Sequence, residues 1–190
     1  MLSKEDFAVK LKESLVKYSK IPSYTDKASY HAYEYFYPEN LSYLLDKNEK
    51  DLHILEIGSA YGGSLHSWMD VLPNANYYSI DHNFDNLSGE ISSRPNLKLY
   101  KCSQSDPIIK TIFPDVVFDL IIDDASHQVN DQITSFNYLK ERLNTNSKYI
   151  IEDIYPEHIY PSDFLENFKV FDLSHIKNRA DDKLFVYDNK

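Results

Sequence analysis

Apolar residues recur every three or four positions near the start of the chain. Phe7, Leu11, Leu15 and Tyr18 fall on one helical stripe, and Ser3 followed by Asp6 resembles a capping pair that opens it. Ile21-Pro22-Ser23 breaks that pattern. A second helical stretch covers about 30–45, with a kink expected near Pro38, whose ring and missing N–H disturb a helix interior. From Leu52 the pattern changes. Strand-like runs fall near 52–57, 76–81, 97–102, 118–123, 148–152, 168–173 and 183–188. Helical stretches fall near 63–71, 84–92, 106–112, 129–142 and 161–166. The first five strands alternate with helices, which predicts a parallel sheet covered on both faces. The link at 175–182 is too short for a helical crossover, so the last two strands should form an antiparallel hairpin. We expect one domain over 1–190, with a helical cap over 1–50 and an α/β core over 51–190.

In an open parallel sheet, ligands collect at the carboxyl ends of the strands. Two strand tips carry matched acidic chemistry. FDLIIDD runs into Ala125-Ser126-His127, and KYIIED ends at Glu152-Asp153. Asp124, His127, Glu152 and Asp153 should converge there, three carboxylates and an imidazole suited to a metal and a base. Asp124 would otherwise cap the next helix, and Glu152-Asp153 would be a solvated strand end. Asp123 points the other way along the strand, towards cofactor or backbone.

Upstream, HILEIGSAYGGS is a strand entering a glycine turn. Gly58, Ser59, Tyr61, Gly62 and Ser64 would bring backbone and helix N–H groups close to a ligand. The dinucleotide fingerprint needs G-x-G-x-x-G, and Ala60 occupies its second glycine. The G-x-x-x-G spacing is closer to that of S-adenosylmethionine (SAM) enzymes. Glu56, just before the turn, would meet a cationic ligand directly or through water. Asp81 follows Gly58 by 23 residues and ends the next strand, where it would accept two ribose hydroxyls or cap the segment starting at Asn83. Gln104, Ser105 and Asp106 would contact an adenine edge, cap the next helix, or both.

At 190 residues, with 42% hydrophobic and 14% aromatic positions, the chain can bury a sizeable core. Its 16 tyrosines fit either a cleft or interface, or codon bias. A net charge of −10 and the lack of a Lys/Arg cluster argue against a nucleic-acid partner. The single cysteine, Cys102, excludes an internal disulfide, fits a reducing compartment, and reads as an inert thiol at a strand end. The charged first residues fit neither a signal peptide nor a membrane span, which leaves the cytoplasm as the expected location.

Asp123-Asp124-Ala125-Ser126-His127, with Ile151-Glu152-Asp153 placing Glu152 28 residues beyond Asp124, resembles the metal-dependent sugar O-methyltransferases of the mycinamicin type. Proteins labelled cephalosporin-hydroxylase-like belong to the wider group. Thr25-Asp26-Lys27 with His31-Ala32-Tyr33 is similar to the family's D-K…H-x-Y segment. Asp172-Leu173 and Asp181-Asp182-Lys183-Leu184 also match, so the resemblance runs from about residue 24 to the end. It implies a Rossmann-like class I methyltransferase sandwich with a mostly parallel seven-stranded sheet. It further implies that Asp124, Glu152 and Asp153 hold Mg²⁺ or another hard divalent cation, and that His127 is the general base. Asp26, Lys27, His31 and Tyr33 would come from the cap and close over cofactor or substrate, with core packing or a cap-to-sheet contact an equal alternative for His31 and Tyr33. The family commonly has Gly where this chain has Ala125. The macrolide enzymes carry an additional N-terminal domain that this length does not accommodate, which leaves substrate and oligomeric state open.

The expected activity is SAM- and Mg²⁺-dependent methylation of a hydroxyl on a nucleotide-sugar, a polysaccharide precursor or a glycosylated natural product. The partner is then a small-molecule or carbohydrate substrate, and a homo-oligomer is compatible. Two rivals stay open: a metal-dependent catechol-type O-methyltransferase, and a non-catalytic SAM-binding subunit. Ala60 weighs against a Rossmann dehydrogenase.

Overall fold

A computed structural model describes residues 2–21 and 24–190. Seven strands form one sheet among these residues: β1 (His53–Ile57), β2 (Asn76–Asp81), β3 (Leu97–Lys101), β4 (Phe118–Asp123), β5 (Leu143–Ile151), β6 (Lys169–Asp172) and β7 (Lys183–Asn189). Their order is β3-β2-β1-β4-β5-β7-β6. The pairs β1–β2, β1–β4, β2–β3 and β4–β5 are parallel, whereas β7 is antiparallel to both neighbours. The expected hairpin is present, and β7 inserts between β5 and β6.

Alternate residues of each strand feed opposite faces. Ile54, Tyr77, Leu120, Ile122 and Ile150 belong to one core cluster. Leu55, Tyr78, Ile121, Tyr149 and Ile151 belong to the other. Helices α1 (Lys4–Ser19), α2 (Tyr33–Asn40) and α3 (Gly63–Val71) cover the first face. The second face is covered by α5 (Val129–Leu139) and α6 (Ser162–Leu165), through Phe136, Leu139 and Phe164. Two further short helices, α4 (Gly89–Ser92) and α7 (Ser174–Lys177), lie in the links after β2 and β6. Phe7, Leu11, Leu15 and Tyr18 of α1 are buried as the stripe predicted, and Ser3 accepts from the Asp6 N–H. The expected break at Ile21-Pro22-Ser23 lies partly outside the described residues.

Some boundaries differ from expectation. The stretch 30–45 forms a helix only over Tyr33–Asn40, with Pro38 inside it, and continues as a 3₁₀ turn over Ser42–Asp46. The stretch 84–92 is helical only over Gly89–Ser92, where Ser88 supplies the cap. Only one apolar side chain there, Ile91, is fully buried, so a longer amphipathic face has nothing to build on. Residues 106–112 make a short 3₁₀ turn over Pro107–Lys110. Conversely, β5 begins at Leu143, five residues early. Asn189 donates to the Leu143 and Asn144 carbonyls and draws the polar LNTNS run into the sheet.

At the foot of the sheet, buried Asp119 at the start of β4 is bound by the His53 N–H, Asn144 and Lys47, while its carbonyl accepts from the Tyr43 hydroxyl. Among the described residues no helix is long and apolar enough to cross a membrane.

Candidate active site

The β1 tip runs into a turn with left-handed backbone at Gly58 (φ 84°), Ala60 (φ 44°) and Gly62 (φ 83°). Asp81, at the tip of β2, holds this turn. Its Oδ2 accepts from the N–H groups of Ser59 (2.9 Å) and Ala60 (3.2 Å), and its Oδ1 accepts from the Asn83 N–H (3.0 Å). Asp81 therefore organises the glycine turn, a role its sequence position did not reveal. The Gly63 N–H donates to the Tyr24 carbonyl at 3.2 Å, which ties the turn to the N-terminal segment.

A cleft of about 470 Å³ opens over these tips, lined by Gly58, Ala60, Tyr61, Asp81, Gln104, Asp124 and Ala125 among others. Gly58, Tyr61, Asp81 and Gln104 thus line the cleft. Ser59 is buried, and Gly62 is the N-cap of α3. Glu56, Ser64 and Asp123 are buried behind the lining. Ser105 and Asp106 lie off it, and Asp106 caps the 3₁₀ turn by accepting from Ile108. The sequence reading missed Asn83, Asn86, Ser103 and Ser126 as lining residues. Cys102 also lines the cleft, and burial raises its thiol pKa, which keeps it unreactive.

Gln104 bridges two strand tips. Its Nε2 donates to Asp123 at 3.1 Å and its Oε1 accepts from the Ser126 N–H at 2.7 Å. Asp123 also accepts from Ser135 (2.5 Å) and Tyr149 (3.1 Å). Burial pushes its carboxyl up to about 7, against those hydrogen bonds.

At the mouth of β4 and β5, ligand atoms of Asp124, His127 and Asp153 all lie within 4.8 Å of one another. Both His127 (φ 55°) and Asp153 (φ 56°) have left-handed backbone. Non-glycine residues adopt that region at a cost, and such strain concentrates at functional sites. His127 Nε2 is 3.8 Å from Asp153 Oδ2, and its buried Nδ1 has no hydrogen-bond partner among the described residues. Asp153 Oδ1 accepts from the Tyr33 hydroxyl at 2.5 Å and lies 3.4 Å from His31 Nδ1. His31 Nδ1 in turn is 2.8 Å from buried Asp182. Burial, then the Asp124 charge, raises Asp153 to about 6, with His31 and Tyr33 opposing.

Glu152 is not among these three converging donors. One carboxylate oxygen accepts from Tyr37, and the other is 2.6 Å from Lys27 Nζ. Lys27 is fully buried and also lies 2.6 Å from Asp124 Oδ2 and 3.9 Å from Glu56 Oε1. Burial disfavours its charge, but the three carboxylates outweigh that and hold its pKa well above the usual lysine value. Of the four residues assigned to a closing cap, Lys27, His31 and Tyr33 are therefore buried partners of the acidic tips. Asp26 is the exposed one, and it lines a second cavity of about 500 Å³ that meets the first at Ala60 and Tyr61.

No model of a known protein family matches the chain. A curated relative from Streptomyces olivaceus, 8-demethyl-8-alpha-L-rhamnosyl tetracenomycin-C 2'-O-methyltransferase, is 28% identical over 140 residues, which cover 68% of this chain. The match spans 35% of that relative, about a third of its length. Among solved structures, MycE methyltransferase from the mycinamycin biosynthetic pathway, in complex with Mg and SAH, superposes with a TM-score of 0.62 at 25% identity. That match covers 75% of this chain and 39% of MycE. An rRNA methylase from Streptococcus thermophilus shares the fold alone, with a TM-score of 0.58 at 11% identity over 77% of this chain and 92% of its own. The sheet order, the antiparallel β7 and these neighbours make the fold a Rossmann-like class I methyltransferase sandwich, and in sequence and structure the chain resembles the sugar O-methyltransferases to which its acidic motifs pointed.

Proposed function

We propose that the protein is a SAM- and Mg²⁺-dependent O-methyltransferase acting on a sugar hydroxyl of a glycosylated small molecule. The observation that carries this reading is the convergence of Asp124, His127 and Asp153 beside a cleft whose far end is Asp81. The carboxylate oxygens and the net excess of buried negative charge suit a hard divalent ion, and the His127 imidazole, whose buried Nδ1 has no hydrogen-bond partner among the described residues, stays off the ion. Asp124 and Asp153 would hold the ion, with Glu152 joining when Lys27 releases it. An ion bound there supplies Lewis acidity that makes a sugar hydroxyl acidic at neutral pH.

The protein's own groups do the rest. Tyr33 and His31 fix the Asp153 carboxylate, and the Asp123–Gln104–Ser126 bonds tie the β4 tip to the loop after β3. Asp81 and the turn it organises would seat the ribose, and Gly58, Tyr61 and Gln104 the rest of the cofactor. His127 would take the hydroxyl proton as the oxygen forms its bond to the methyl carbon and the carbon–sulfur bond breaks. The sulfonium leaves as neutral thioether, and the proton rests on the imidazole. General-base help of this kind is worth roughly 10²–10⁴-fold, and in-line positioning supplies much of the remainder.

The named activity of the Streptomyces relative supports a glycoside over a catechol, and MycE, a methyltransferase with Mg and SAH bound, supports a catalytic over a non-catalytic role. With no basic cluster in the sequence we take the partner to be a small molecule, and with a single cysteine we take the location to be a reducing compartment, the cytoplasm. The test is mass spectrometry of sugars, glycosides and phenols incubated with SAM and Mg²⁺. Methylated glycoside is the expected product. Methylation of phenols alone would favour the catechol reading, and SAM binding without any transfer would favour the non-catalytic one.

A further inference from the structure

Lys27 brings an ammonium, with no exposed surface, between two carboxylates from separate strand tips. We infer that Lys27 is an exchangeable internal cation, holding Asp124 and Glu152 in the metal-free protein and moving onto Glu56 when a divalent ion takes those carboxylates. The inference rests on the metal reading above.

Three observations carry it. First, Asp124 belongs both to the lysine's short contacts and to the three converging donors. An ammonium and a dication sharing one carboxylate repel each other strongly away from bulk water. Second, the destination is already built. Glu56 is fully buried, and neither of its oxygens has a hydrogen-bond partner among the described residues. Ser64 and Trp68 lie beside it without completing a bond. Lys27 Nζ is 3.9 Å from Glu56 Oε1, so a shift of about 1 Å brings it within hydrogen-bond range. Third, the lysine backbone is anchored, because its carbonyl accepts from the Tyr33 N–H at 3.0 Å. A flexible four-carbon stem on a fixed backbone can move its head between two stations. A buried ion pair with no exchange would leave the Glu56 carboxylate without a hydrogen bond, a costly arrangement.

The test is Mn²⁺ binding to metal-free protein, by calorimetry at neutral pH, for the wild type, Lys27→Met and Glu56→Gln. Removing the competing cation should tighten Mn²⁺ binding by at least about tenfold, and removing the second station should weaken it by at least about tenfold. A general loss of structure would weaken both variants, so opposite directions are the signature. Equal or weaker binding by Lys27→Met with native circular dichroism would overturn the exchange, as would unchanged or tighter binding by Glu56→Gln. If Lys27→Met does not fold, Lys27→Gln replaces it with the same expected direction. If the wild type binds Mn²⁺ and the variants do not diverge, only the exchange falls. If neither the wild type nor the lysine variant binds Mn²⁺, the metal reading falls with it.

Discussion

A Cβ atom placed on Gly58 would lie 2.1 Å from the carbonyl oxygen of Asp124. The glycine turn and the acidic tip of β4 are therefore in backbone contact, and only glycine lets them approach. Gly58→Ala combines that clash with φ 84°, which an L side chain resists. We expect it to destabilise the protein by more than about 2 kcal/mol and to weaken SAM and metal binding together. Urea unfolding and calorimetry check this, and an unchanged midpoint with native affinities would contradict it.

His127 needs a replacement that tolerates its φ of 55°, and asparagine occupies that region more readily than alanine. His127→Asn should bind SAM normally while single-turnover methyl transfer slows by roughly 10²–10⁴-fold. Near-normal transfer would remove His127 from the chemistry.

Chelation separates metal chemistry from simple cofactor positioning. EDTA should abolish turnover, with Mg²⁺ or Mn²⁺ restoring it. Asp124→Asn should fail to recover at millimolar metal. An enzyme indifferent to EDTA would be irreconcilable with the role given to Asp124 and Asp153.

The acidic interior also sets a pH dependence. Burial raises Asp123 and Glu56 to about 7, with hydrogen bonds opposing at Asp123 and Lys27 opposing at Glu56. In the unfolded chain such carboxyls ionise near pH 4. Between about pH 4 and 7 the folded state thus holds more protons, and stability falls as pH rises through that window. Asp188 works in the other direction. Despite its burial, Lys148 and Lys169 hold it below its usual value, so its contribution is lost only under acid conditions. In EDTA the melting temperature should drop between pH 5 and 7.5, and added Mg²⁺ should raise it more at pH 7.5 than at pH 5. A melting temperature that climbs across that interval without metal would refute this.

The alternation of apolar runs with helical stretches made the first five strands legible, because parallel strands such as FDLIID are buried on both faces and read as largely apolar runs. That Gly58 and Asp81 stand at successive strand tips beside one cleft was legible from their order, although the hydrogen bonds by which Asp81 holds the turn were not. The partners of the acidic tips were not. Lys27, Tyr33 and Tyr37 lie over a hundred residues from Glu152 and Asp153, and no local pattern says that α2 and the segment before it pack under β5. The D-K…H-x-Y segment was the available signal, and it suggested a cap closing over cofactor or substrate, or for His31 and Tyr33 a contact with the sheet; the ion pairs that Lys27 makes with Asp124 and Glu152 it did not show. The position of β7 between β5 and β6 and the early start of β5 also depend on pairing between distant segments, which side-chain periodicity does not encode.

The fourth strand carries an aspartate near each end, Asp119 and Asp123, and the two ends serve different purposes. Asp119 is a knot that gathers the β1 entrance, the β5 entrance and the turn before them. The full length of the strand separates it from the reactive rim. Engineering for heat resistance, or for attachment to a support, belongs at that lower end, where reinforcement leaves the geometry of the acidic rim alone.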